Sequence, residues 1–198
     1  MAIPSPEIVE AVGGLLRADP ARTLAVAESL RAPGRTYEST VTGMSMGPGL
    51  PPGSRIRVAL VPDASFEVGE VVAFVAGERI VVHRVAYRGR AAAARGHLVT
   101  LGDATLVPDP PVATRQVLGA VTGVWRPGGW VPPAGPPRRS LPARAVRALS
   151  LALAVGALQV SPRATARVMT GLHRAAAALR TARVGGRERR SPGPPGRS

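Results

Sequence analysis

The order of apolar and polar positions divides the chain into stretches of different period. Residues 1–31 read as two short helices. Ser5 precedes Pro6 at a first helical position, and Ile8, Val12, Leu15 and Leu16 share a face; Asp19-Pro20 then repeats the start signal for a helix reaching about Arg31. From Tyr37 to Val124 the period shortens to that of strands. Arg55 to Val61 alternates as a half-buried strand, Val71 to Val75 is a continuous apolar run, and Ile80–Ala86, His97–Leu101 and Val117–Val124 add more. Pro62-Asp63, Gly77-Glu78 and Gly89-Arg90 punctuate them as turns, and Gly77-Glu78-Arg79 suits a hairpin. Ala91 to Gly96, alanines between arginines, reads as a loop or single helical turn outside the core. The expected class is mainly β: short N-terminal helices over residues 1–34, then a bent, partly closed antiparallel domain over residues 35–125.

Strand periodicity ends at Trp125. Residues 126–142 hold Pro127, Pro132, Pro133, Pro136, Pro137 and Pro142 with several glycines, which reads as a linker from which Trp130 packs back on the domain. Two basic amphipathic helices follow over residues 143–184, forming a C-terminal hairpin. The first runs from Pro142 to Val160, and the second starts at Pro162 or Arg163 with Val168, Leu172, Ala175 and Leu179 on one face. Residues 185–198 are rich in Pro, Gly, Ser and Arg and are expected to be a disordered tail.

Charge sharpens this division. The 198 residues carry a formal net charge of +14. Residues 1–125 hold 12 arginines against 11 acids, whereas residues 126–198 hold 14 arginines against Glu188 alone. A near-neutral folded unit therefore carries a basic appendage. With no cysteine there is neither a disulfide framework nor a thiolate metal site, and no His, Asp or Glu cluster has ligand spacing, so no metal and no cofactor is expected.

The candidate chemistry lies in the strand-rich part. Ser45 sits in Thr42-Gly43-Met44-Ser45-Met46-Gly47-Pro48, where the chain can turn sharply and present a hydroxyl. His83 lies in Ile80 to Val85; Asp103 and Asp109 follow the strand ending at Leu101. A serine is a poor nucleophile at neutral pH. It needs a base to take its proton, and the base needs a carboxylate to fix its tautomer. The chain contains no lysine, so a Ser/Lys dyad cannot be built and a histidine is the natural base.

Four boxes resemble the type I signal peptidase superfamily. Val41 to Leu50 is similar to its nucleophile box, and Phe66 to Phe74 to the strand that follows. Val82-His83-Arg84-Val85 resembles the third box in the form of the endoplasmic-reticulum, archaeal and sporulating-bacterial branch, where histidine replaces lysine; Leu101-Gly102-Asp103 with Asp109 resembles the fourth, and Val117 to Val121 the closing strand. The resemblance covers about residues 36–125. It implies a serine endopeptidase in which Ser45 attacks a peptide carbonyl, His83 carries the proton, and Asp103 and Asp109 both matter. Gly-Asp context favours Asp103 as the orienter, while the resemblance does not choose between them. The oxyanion is assigned to the backbone around Gly43, Met44 and Ser45, because Gly43 stands where many relatives have a serine donor. Gly47 and Ser54 also depart from the usual pattern, away from the chemistry.

The partners follow. The resemblance implies a polypeptide substrate bound extended along a sheet edge, with small side chains before the cleaved bond, as in precursor or signal-peptide processing. Residues 143–184 offer a basic, partly apolar surface to anionic membrane. The absence of aromatic interleaving argues against nucleic acid. Self-cleaving helix-turn-helix repressors are disfavoured too, since residues 1–31 carry three arginines against four acids and those families use lysine. No signal peptide opens the chain, and the uncharged run from Ala148 to Pro162, about fifteen residues, falls short of the roughly twenty that a span needs. Peripheral membrane association is therefore expected. The alternative to an enzyme is an inactive binding module of the same fold, held to membrane or an acidic partner by its basic helices.

Overall fold

The computed structural model describes residues 36–60, 66–77, 79–90 and 94–174. The expected N-terminal helices, the Pro62-Asp63 turn and the tail lie outside the described residues. Within them the chain is mainly antiparallel β with a pair of C-terminal helices. The strands are β1 (Thr36–Thr40), β2 (Arg55–Leu60), β3 (Val71–Ala76), β4 (Arg79–Arg88), β5 (His97–Leu101), β6 (Val112–Ala113), β7 (Val117–Arg126) and β8 (Gly129–Val131). They form one sheet in the order β1-β2-β7-β3-β4-β5-β6, with β8 on β7. The register shifts at Arg57/Val58, Ala73/Phe74 and Val85/Tyr87. Each bulge bends the strand that carries it, so the open sheet is curved.

The apolar run of β3 explains where the core lies. Val71, Ala73 and Val75 join one buried cluster with Met46, Ile56, Val58 and Val121, while Val72 and Phe74 join a second with Val85, Leu98 and Val117. A strand covered on both faces has no polar side to alternate with. β3 and β4 form the expected hairpin, Ala76 opposite Arg79, and this register sets His83 opposite Val72. The His83 ring lies edge-on to Phe74, with ring centroids 6.2 Å apart.

Two expectations need correction here. Part of the supposed linker is strand: β7 runs through Arg126 and turns over Pro127-Gly128 into β8, so that Trp125 pairs with Trp130 across the hairpin. The two indoles meet at 5.4 Å between ring centroids and Arg57 stacks 4.2 Å over Trp130, a cross-strand cluster of the kind that holds a short edge strand. Of the expected linker, the stretch from Pro132 to Ser140 lacks regular structure. Ala94, the last of the alanines, also reaches the core, where it is fully buried beneath the C-terminal helices.

Those helices are α1 (Leu141–Val160) and α2 (residues 162–174). Ser150, Ala154 and Leu158, spaced by four, form the buried stripe of α1. Thr165 and Met169 do the same for α2, while Val168, expected on the apolar face, is 48% exposed. Ala154, Leu158 and Met169 pack on Ala94 and Val99. By length and composition α1 is also apolar enough to cross a membrane, a test that core helices and leader segments pass as well.

Candidate active site

Ser45 is presented by the β1–β2 connection, which is closed at its base by the Val41 N–H to the Ser54 carbonyl at 2.9 Å and the Gly53 N–H to the Val41 carbonyl at 2.7 Å. Two methionines set its direction. Met46 is 1% exposed in the core, and Met44 is 76% exposed. The Gly47 N–H donates to the Met44 carbonyl at 3.0 Å, and Gly47 takes φ +60, a conformation that suits glycine. The serine is therefore held at the crest of a turn.

β4 brings His83 to it. His83 Nε2 lies 2.7 Å from Ser45 Oγ, and Nδ1 lies 2.5 Å from Asp109 Oδ2. An ionised carboxylate only accepts, so Nδ1 carries the proton and the neutral ring leaves Nε2 free to accept from the serine hydroxyl. Asp109 is fixed in turn: Thr100 Oγ1 donates to Oδ2 at 2.7 Å, and the Asp109 N–H donates to the Thr100 carbonyl at 2.9 Å. His83 is 6% exposed, so its ring is sheltered from water.

Asp103 does something else. It is 3% exposed and takes two bonds from Arg84, Nε to Oδ1 at 3.0 Å and Nη2 to Oδ2 at 2.7 Å. Arg84 also donates to the carbonyls of Gly69 at 2.7 Å and Ala134 at 2.9 Å. The local preference for Asp103 as the orienting acid is thus corrected: its oxygens are occupied by the arginine next to His83, and Asp109 contacts the imidazole. A lone arginine in the buried middle of a strand needs a carboxylate, and that was the signal in the sequence for the pair.

The turn bearing Asp103 also packs on the nucleophile. A Cβ on Gly102 would lie 2.6 Å from the Ser45 carbonyl oxygen and 3.0 Å from His83 Nε2. The Ala104 N–H donates to that same carbonyl at 2.6 Å. Behind the turn stand α1 and α2. Arg147 Nη1 donates to the carbonyls of Gly102 and Thr105 at 2.9 and 3.0 Å, Ser150 Oγ to Leu106 at 2.6 Å, and His173 Nε2 to Pro108 at 2.8 Å. Thr100, Arg84, Gly102 and Arg147 were not singled out as site residues in the sequence.

Gly43 and Met44 are exposed just before the serine, and a Cβ on Gly43 would lie 3.9 Å from Ser45 Oγ, so that position borders the nucleophile. Among the described residues no acceptor takes the Ser45 N–H. Among the described residues the His97 side chain bonds only the Arg95 carbonyl, away from the site. No group of three or more metal-ligating side chains occurs among the described residues. A scan against protein-family models and a search of curated proteins both find no match, so the resemblance to signal peptidases rests on the sequence boxes alone.

Proposed function

We infer that this protein is a serine endopeptidase of signal-peptidase type, with Ser45 as nucleophile, His83 as general base and acid, and Asp109 as the orienting carboxylate. The observation that supports this reading is His83 bridging Ser45 Oγ and Asp109 Oδ2 at hydrogen-bond distance through its two nitrogens. In the proposed reaction Ser45 Oγ attacks the carbonyl carbon of an extended substrate as His83 Nε2 takes its proton. Asp109 stabilises the imidazolium, and the Ser45 N–H with a neighbouring backbone donor receives the oxyanion. Collapse of the tetrahedral intermediate breaks the C–N bond, with the proton passing from Nε2 to the leaving amine. Water then hydrolyses the acyl-enzyme by the same relay. The substrate is proposed to be a precursor or signal peptide with small residues before the scissile bond.

Incubation with a mixed library of extended peptides, read by mass spectrometry, tests the activity. Wild-type protein is expected to yield new termini after small residues, and Ser45→Ala and His83→Ala none above background. Cleavage that survives both substitutions, or no cleavage by any form, moves the reading to a binding module.

A further inference from the structure

α1 is built the reverse of a helix that meets only water. Its inner side carries charge: Arg147 reaches the Gly102 and Thr105 carbonyls beside the buried stripe of Ser150, Ala154 and Leu158. Among its exposed residues Arg144, near the start of the helix, is the one charged side chain. Val146, Leu149, Leu153 and Val160 are 50%, 64%, 53% and 78% exposed, and Ala145, Ala152 and Gly156 fill the face between them. A helix solvated on its outer face places polar residues there. A continuous exposed apolar face marks contact with another apolar surface or phase.

At the start of the same helix lies an open groove of about 590 Å³, lined by Arg138, Arg139, Arg144 and Arg147 with Pro136, Pro137, Ala148 and Leu151. No acid lines it, and none of these arginines forms an ion pair among the described residues. The charges oppose one another. Arg147 is held below the ordinary arginine value by burial and then by Arg139, with Asp103 acting the other way. An anion in the groove relieves that repulsion, and guanidinium groups match the oxygens of a phosphate two at a time.

We propose that α1 lies in the interface of an anionic bilayer, with Val146, Leu149, Leu153 and Val160 among the acyl chains and a lipid headgroup phosphate in the groove of Arg138, Arg139 and Arg144. Adjacency favours lipid over a free phosphate, because one helix presents both the phosphate site and the surface that needs an apolar phase. The inference stands apart from the peptidase reading. It also brings the bilayer close to Ser45, since α1, about 10–12 Å across, separates its outer face from the Gly102 turn.

The test is co-sedimentation of the full chain with vesicles of phosphatidylcholine alone or mixed with phosphatidylglycerol. Mixed vesicles are expected to bind it. Arg139→Gln with Arg144→Gln should lower the partition coefficient about twenty-five-fold, at about fivefold per arginine near an anionic surface. Arg187→Gln with Arg189→Gln, equal in charge removed, should lower it less, and Leu149→Ser with Leu153→Ser should weaken binding to every vesicle. These groove and helix positions are exposed or flanking, and Arg147 is left in place because it supports the Gly102 turn; thermal unfolding of each variant verifies its fold. Equal binding to neutral and mixed vesicles, or a loss from the tail pair as large as from the groove pair, overturns the phosphate site. So does failure to bind vesicles, whether inorganic phosphate raises the melting temperature (a free-anion site) or the chain sediments as a dimer (a second copy on the apolar face).

Discussion

Replacing Asp109 by asparagine is expected to lower the rate of Ser45 acylation about 10³–10⁴-fold while leaving the fold nearly as stable, because the loss is one of charge beside the imidazole rather than of packing. The Asp109 carboxylate accepts from both His83 Nδ1 and Thr100 Oγ1. Both donors meet one oxygen, Oδ2, so an amide oxygen in its place can keep the two bonds but brings no negative charge. The imidazolium that forms as Nε2 takes the serine proton then loses its counter-charge. Asp103→Asn should divide its effects the other way. Its carboxylate neutralises Arg84 in a setting where the two side chains are 3% and 10% exposed. Removing one partner of a buried pair leaves the other charge uncompensated, at a cost of about 3 kcal/mol, the lower end of the usual range because Arg84 keeps the Gly69 and Ala134 carbonyls. Urea unfolding and single-turnover acylation, measured on both variants, separate the two roles. An Asp103 variant that folds normally but does not acylate, beside an active Asp109 variant, would reverse the assignment.

Gly102→Ala is expected to lower acylation by about a hundredfold and stability by about 1–3 kcal/mol. The added methyl group would meet the Ser45 carbonyl oxygen at 2.6 Å, His83 Nε2 at 3.0 Å and Ser45 Cβ at 3.1 Å. Two of these three atoms belong to the nucleophile's own residue, and the third is the base. The turn cannot withdraw freely, because Arg147 holds the Gly102 carbonyl from behind and Ala104 donates to Ser45 in front. The serine backbone must therefore move, and Oγ with it. A 1 Å error in placing a reacting group is enough for a loss of that size. Wild-type acylation by the alanine variant would show that the turn does not position Ser45.

The strands were legible because burial leaves a period in the sequence. β2 alternates, and Val71 to Val75 does not because both of its faces are covered. Counting prolines and glycines misled at residues 126–131, where a two-residue turn over Pro127-Gly128 brings the two tryptophans together; the pairing depends on register, which composition does not carry. Val168 and Met169 are neighbours on a helix, and only the packing of α2 decides that Met169 goes inside.

The site was legible to the extent that its chemistry demands particular side chains. The absence of lysine left a histidine as the base, and the resemblance of the boxes chose His83 among the three. The choice between two aspartates lies beyond such arguments. Both follow β5 closely, and what separates them is that Arg84, one residue after the base, claims Asp103 while Thr100 turns Asp109 toward the ring. The support from α1 and α2 was likewise hidden, since Arg147 reads along the chain as one more solvated arginine of a basic helix.

The central claim is that His83 activates Ser45 toward a carbonyl. Its most direct test is to treat the full chain with an acylating serine probe and locate the adduct by mass spectrometry after tryptic cleavage at arginine, which releases Ser45 in the fragment Thr36–Arg55. The account predicts an ester on Ser45 in wild-type protein and none in His83→Ala. An adduct on another residue, or equal labelling of Ser45 without His83, would contradict it.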